Sequence, residues 1–263
     1  YDEPRWSRTK TTTLCAQLRT IEAVLGDDRR ILDQTVEAAA AAHPEFIALL
    51  GSPVPAVIGM DLPGMAKEVE ERTGIPAFGF ETTGFSSYHR GVEEAMLALF
   101  RRFGGQAESV GQNTVNLLGM TPLDLGAVGN EKLLRRALER EGYTVLCSYL
   151  MDGGLESVRQ SAGASVNLVV TASGLPLARE MERVLGIPYV VGMPVGPAGV
   201  KQTVIQLKQE AEQGTRPPRK DLTAAGEDDS ILIVGDQVIA HSLRLALRDL
   251  GCARPITVGS FFA

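Results

Sequence analysis

The stretch N-L-V-V-T-A-S-G-L-P, Asn167 to Pro176, reads as a buried strand that runs out into hydroxyls and a glycine before a helix begins. Thr171 and Ser173 can donate and accept hydrogen bonds, and Gly174 lets a backbone or a ligand come close. Two other segments carry similar chemistry. T-T-G-F-S-S-Y-H-R, Thr82 to Arg90, combines Gly84, Phe85 and Ser86 with His89, the one histidine that falls in a strand-end loop beside an arginine. G-P-A-G-V-K, Gly196 to Lys201, is a helix entry, where free N–H groups attract anions, with Lys201 adding a positive charge. In open parallel sheets ligands lie beyond the carboxyl ends of strands, so these loops are the candidate site. No loop matches the phosphate-binding patterns G-x-x-x-x-G-K-[ST] or G-x-G-x-x-G, which excludes a P-loop enzyme and argues against a standard NAD-binding unit. No catalytic residue is assigned.

The elements that must position these loops follow one recurrent pattern: an amphipathic charged segment, a glycine, then a short apolar run. It occurs around Gly74, Gly142, Gly186 and Gly251. Glycine closes a helix in the left-handed conformation, and the apolar run after it suits a strand covered on both faces. Further strands are expected at 46–50, 115–119, 166–171 and 231–235, with helices Glu131–Arg140 and Leu177–Leu185 between them. The fold class is therefore α/β with parallel sheets. Polar, glycine-containing stretches at 104–113 and 213–229 mark boundaries, and the last unit, from Ser230, is too short to bury a core alone.

Composition narrows the function. With 44% hydrophobic and 22% charged residues the chain is globular, and its net charge of −6 repels nucleic acid. The densest basic run, Arg216-x-x-Arg219-Lys220, is too short to offset that charge. The uncharged run 160–178 is interrupted by Asn167, Thr171, Ser173, Gly174 and Pro176, so it is not a membrane span. Cys15, Cys147 and Cys252 are far apart and odd in number, which gives neither a disulfide framework nor a self-contained metal site and fits a reducing, cytoplasmic setting. The chain starts at Tyr1 rather than Met, and its last unit is cut short, so it is expected to be a fragment of something longer.

The ordered motifs R-W-S-R-T-K-T-T-T-L, V-L-G-D-D-R-R-I-L, S-P-V-P-A-V-I-G-M-D-L, T-T-G-F, L-G-x-x-x-x-D-L, S-V-N-L-V-V, G-I-P-Y and G-P resemble component 1 of the nitrogenase-type oxidoreductases over nearly the whole chain. The resemblance implies consecutive Rossmann-like domains around a central cleft: 1–112, 113–220, and 221–263 as the start of a third. It implies a subunit that accepts electrons from an ATP-dependent iron–sulfur reductase and pairs with a homologous subunit as a homo- or hetero-oligomer. A reducible ligand would sit in the cleft near Gly84, Phe85, Ser86, His89, Thr171, Ser173, Gly174, Gly196 and Lys201. That ligand would be an iron–sulfur-type cluster or a tetrapyrrole, supplied with a partner or by flanking chain. Two departures matter. Thr171 stands where the family's catalytic subunit has a cysteine for its cofactor, and Ser52-Pro53 stands where a cluster cysteine is expected. The resemblance places the upstream cluster cysteines and the downstream cofactor histidine outside this chain. The alternatives are a non-catalytic scaffold for carrying or assembling a metallocluster, and a soluble metal-chelate binding protein.

Overall fold

All four glycines of the helix–glycine–strand pattern take left-handed φ angles: +70° at Gly74, +86° at Gly142, +70° at Gly186 and +87° at Gly251. Each ends a helix and turns the chain into a strand, and this repeated device builds three parallel sheets. The computed structural model describes residues 11–26, 28–105, 108–126, 129–151, 154–214 and 230–259. The chain divides into two compact units, Tyr1–Ala95 and Met96–Ala263.

In the first unit, α1 (Thr20–Leu25) and α2 (Arg29–Ala42) precede β1 (Ile47–Leu50), α3 (Pro53–Val57), α4 (Leu62–Thr73) and β2 (Ala77–Phe80), and the unit ends inside α5 (Tyr88–Phe103). β1 and β2 pair in parallel, Ile47 opposite Ala77 and Leu50 opposite Phe80. The Asp61 side chain caps α4 by accepting the Gly64 N–H at 2.9 Å, and Pro63 fixes its first turn. Leu62, Met65, Ala66 and Val69 form the buried stripe of that helix and meet Ile31 and Leu32 of α2. The first turn of α4 lies directly on β2: a Cβ at Gly79 would run into the Leu62 carbonyl and the Pro63 nitrogen.

The second unit holds β3 (Thr114–Leu118), α6 (Pro122–Leu125), α7 (Glu131–Arg140), β4 (Thr144–Ser148), α8 (Gly154–Gln160), β5 (Val166–Val169), α9 (Leu175–Leu185), β6 (Tyr189–Val191) and α10 (Gly196–Gln213). Its four strands run parallel in the order β4-β3-β5-β6. Every residue of the two central strands is buried. Val115, Leu117, Val166 and Leu168 pack on one face with Leu134 and Leu138 of α7 and Leu207 of α10. On the adjoining strands Asn116 donates to Asn167 at 2.8 Å and to the Ser161 carbonyl at 2.8 Å, so the polar pair is bonded inside the sheet layer. β7 (Ile231–Val234), α11 (Gln237–Asp249) and β8 (Ile256–Gly259) complete the unit, with β7 parallel to β8.

The structure moves several expected boundaries. β5 ends at Val169, so Thr171 lies past the strand, because the chain turns at once into the short 3₁₀ turn Ala172–Gly174. α10 begins at Gly196, so the whole helix-entry segment is already helical and Lys201 lies in its second turn, since Pro197 suits the first turn of a helix. α9 starts at Leu175, two residues earlier than expected, again with a proline in its first turn.

Candidate functional site

The candidate residues fall into three neighbourhoods, one in the first unit and two in the second. Over the ends of β1 and β2 the first unit opens a cavity of about 930 Å³, whose lining includes Thr82, Thr83, Gly84, Ser86, Ser87 and Arg90. Thr82 Oγ1 donates to the Gly51 carbonyl at 2.9 Å and ties the two strand ends together. Phe85 N donates to Thr83 Oγ1 at 3.1 Å, and Gly84 makes the turn between them at φ +76°. A side chain at Gly84 would press on Pro53, with its Cβ 3.2 Å from that ring.

Ser87 links this cavity to the expected histidine. Its hydroxyl lies 2.9 Å from His89 Nδ1 and accepts the His89 backbone N–H at 3.3 Å, which also caps the start of α5. His89 is buried, with the Tyr88 ring stacked on it at 4.0 Å between centroids. His89 therefore meets the cavity lining through Ser87 and Tyr88. Phe85 is 76% exposed. Below His89 on α5, burial pushes the Glu93 carboxyl above its ordinary pKa, with His89 pulling against that rise. Arg90 and Glu94, both lining the cavity, form an i,i+4 pair at 3.0 Å.

In the second unit, Thr171, Ser173 and Gly174 come together in a buried knot. Thr171 Oγ1 donates to the Gly119 carbonyl at 2.6 Å and lies 2.9 Å from Ser173 Oγ, and both residues are fully buried. Gly119, at φ +86°, has no room for a side chain, because a Cβ there would meet Thr171 Oγ1 and lie 2.8 Å from Gly174 N. The Ala172 N–H is taken by the carboxylate of Asp236 at 2.9 Å. Gly196 and Lys201 form the third neighbourhood. They line a largely apolar groove of about 610 Å³ with Met120, Met193 and Pro197, and Arg140 adds a second positive charge.

Sequence reading passed over Ser87, Gly119 and Asp236. Asp236 before Gln-Val-Ile carries a helix-cap signature, but its bond to Ala172, 64 residues away, leaves no local trace. Gly119 has the same difficulty, since its partner Thr171 is 52 residues away.

An iron–sulfur-type cofactor needs thiolate ligands, with imidazole as the usual substitute. At the end of β5 the side chains are hydroxyls already bonded to protein, so the residues present there do not fit such a group. Cys15 is exposed, Cys252 is half-buried, and Cys147 is buried 3.4 Å from Ser157 Oγ. Among the described residues no three or more His, Cys, Asp or Glu side chains gather to hold a metal ion. No described helix is long and apolar enough to cross a membrane.

Parallel sheets with glycine- and hydroxyl-rich loops at their carboxyl ends, and no nucleotide motif, define an α/β protein with Rossmann-like sheets. Residues 4–263 match the model of the nitrogenase component 1 type oxidoreductases, and the chain belongs to that family. It is 25% identical over 192 residues to the nitrogenase iron-molybdenum cofactor biosynthesis protein NifE of Clostridium pasteurianum, covering 72% of this chain and 41% of that protein. Against NifE of Sinorhizobium fredii the figures are 28% over 255 residues, 95% and 48%. Against the nitrogenase molybdenum-iron protein alpha chain of Methanosarcina barkeri they are 24% over 208 residues, 76% and 37%. The chain therefore spans less than half the length of these relatives. The solved structure of nitrogenase Cp1 at pH 6.5 shares the fold, with a TM-score of 0.71 at 20% identity over 94% of this chain and 51% of that one.

Proposed function

We propose that this chain is the ligand-holding portion of a component 1-like oxidoreductase subunit. A reducible ligand sits over the ends of β1 and β2, and an ATP-dependent iron–sulfur reductase delivers the electrons to it, with a homologous subunit completing the assembly. The observation that carries this reading is the first-unit cavity of about 930 Å³, a volume in the range of small-molecule and cofactor sites. Its lining offers the hydroxyls of Thr83 and Ser86 and the guanidinium of Arg90, which is paired with Glu94, with Gly84 allowing close backbone approach. Those groups suit the carboxylates or amides of an organic ligand, such as a tetrapyrrole, better than they suit bare iron.

The second reading is a scaffold on which a metallocofactor is carried or assembled without turnover. It is favoured by the two NifE relatives, each named as a cofactor biosynthesis protein. The test is anaerobic loading of the full protein with a tetrapyrrole, followed spectroscopically with and without an ATP-dependent iron–sulfur reductase. Electron delivery predicts a spectral change that requires both reductase and ATP. Loading and release of a metallocofactor that proceed equally without the reductase favour the scaffold.

A further inference from the structure

The strand order β4-β3-β5-β6 sends the connection from β3 to one side and brings β5 in on the other, which makes the ends of β3 and β5 the topological switch point of the second sheet. In open α/β sheets this crevice is where a ligand enters. Here the chain fills it with its own groups. Thr171 Oγ1 bonds the Gly119 carbonyl that ends β3, and Gly119 leaves no space for even a methyl group.

A donor of the same turn, the Ala172 N–H, is met by a carboxylate from the loop after β7. Asp236 Oδ2 accepts Ala172 N–H at 2.9 Å, while Oδ1 accepts Val238 N–H at 2.9 Å and Ile239 N–H at 3.1 Å. One carboxylate therefore caps α11 and holds the turn after β5. A second tie lies on the same helix: Ser242 Oγ accepts Met193 N–H at 2.9 Å just beyond β6 and donates to the Val238 carbonyl at 2.8 Å.

We propose that Asp236 is an internal anion that takes, from within the chain, the strand-end position an external ligand would occupy, and so latches α11 over the closed switch point. An anion can reach the Ala172 N–H only when Asp236 leaves it, and leaving loosens the turn after β5. The inference is independent of what the first-unit cavity holds.

The test is hydrogen exchange on the full chain, followed in residues 171–175 and 238–242, for wild type, Asp236→Asn and Asp236→Ala. Asn keeps the α11 cap through its carbonyl oxygen but sets an NH₂ group against the Ala172 N–H. Exchange at 171–175 should rise about tenfold in Asp236→Asn while 238–242 stays close to wild type. In Asp236→Ala both segments should exchange faster, and sodium formate, but not sodium chloride at equal ionic strength, should restore protection at 171–175. If 171–175 exchanges as in wild type in Asp236→Asn, the latch does not exist. If Asp236→Ala folds and formate restores nothing, the position does not take an anion. Should Asp236→Ala fail to fold, Asp236→Asn alone decides the latch. Neither readout involves the reductase or a cofactor, so failure here leaves the proposed function untouched.

Discussion

Thr171 places a hydroxyl where thiol chemistry would be needed to bind a cluster, and the protein uses it to join two strand ends. Val has nearly the same shape and lacks the hydroxyl, so Thr171→Val should cost about 1–3 kcal/mol by leaving the buried Gly119 carbonyl short of a donor. Gly119→Ala should cost more, because it adds left-handed strain and drives a methyl into Thr171 Oγ1 and Gly174. Urea unfolding of the three proteins checks the order; a Thr171→Val chain as stable as wild type would show the hydroxyl to be dispensable. Two carboxylates give opposite pH signatures. Burial holds the folded pKa of Glu93 above its unfolded value, so its favourable contribution is complete below the ordinary carboxylate pKa and is lost as pH rises through the folded value. Glu93→Gln should therefore be more stable than wild type at neutral pH, with the gap closing in acid. Glu180 is held low, first by its hydrogen bond from Arg183 and then by the charges of Arg183 and Arg101, so its contribution is present above the unfolded pKa and lost as pH falls through the folded one. Glu180→Gln should be the less stable chain at neutral pH, again converging with wild type in acid. Unfolding midpoints that shift in the same direction for both variants at neutral pH would contradict this assignment.

At the scale of elements, the tightest constraint is α4 crossing β2. Gly79 is the residue that lets the first turn of the helix lie on the strand, so Gly79→Ala should displace α4 from β2 and destabilise the first unit by several kcal/mol. Limited proteolysis should then cut within residues 58–81 faster than within the four-stranded sheet; equal resistance would mean that the helix shifts at little cost. Much of this layer was legible in the sequence, because a helix closed by glycine and followed by a β-rich run is a local signal. The four glycines all adopt the expected conformation, and α7 spans the expected residues 131–140. The short helices α3 and α6 were not read, although Ser52-Pro53 and Thr121-Pro122 are good helix starts, because five- and four-residue helices have no amphipathic period to detect. The candidate site was legible only in part. Gly84 and Ser86 line the cavity over β1 and β2, whereas Thr171 is bonded to Gly119 and the turn after it is held by Asp236, contacts that only the folded sheet creates.

For the whole molecule, the cysteine placement and the hydroxyls at the end of β5 bear on what the isolated chain can carry. Purified anaerobically it should be colourless and hold no stoichiometric iron; iron and sulfide that co-purify and survive Thr171→Val would mean that a cluster is held by other residues. The exposed apolar surface bears on assembly. β7 alternates between half-buried and exposed residues and leaves Leu232 64% and Val234 45% exposed, and at the far end of α11 Leu250 is 84% exposed. Single exposed leucines are ordinary on soluble proteins. Here they recur on one strand and at the end of the helix that follows it, in a chain whose family model describes a component 1 oxidoreductase. Apolar surface of this kind is stabilised by covering it, and a second copy or a homologous subunit is the partner the proposed function requires. Light scattering at micromolar concentration should accordingly give a dimer or larger species. Leu232→Lys, which places a charge on the exposed face of β7 without entering the core, should shift that species towards monomer while leaving far-ultraviolet circular dichroism unchanged. A wild-type chain that is cleanly monomeric under these conditions, or an oligomer indifferent to Leu232→Lys, would remove this surface from the interface.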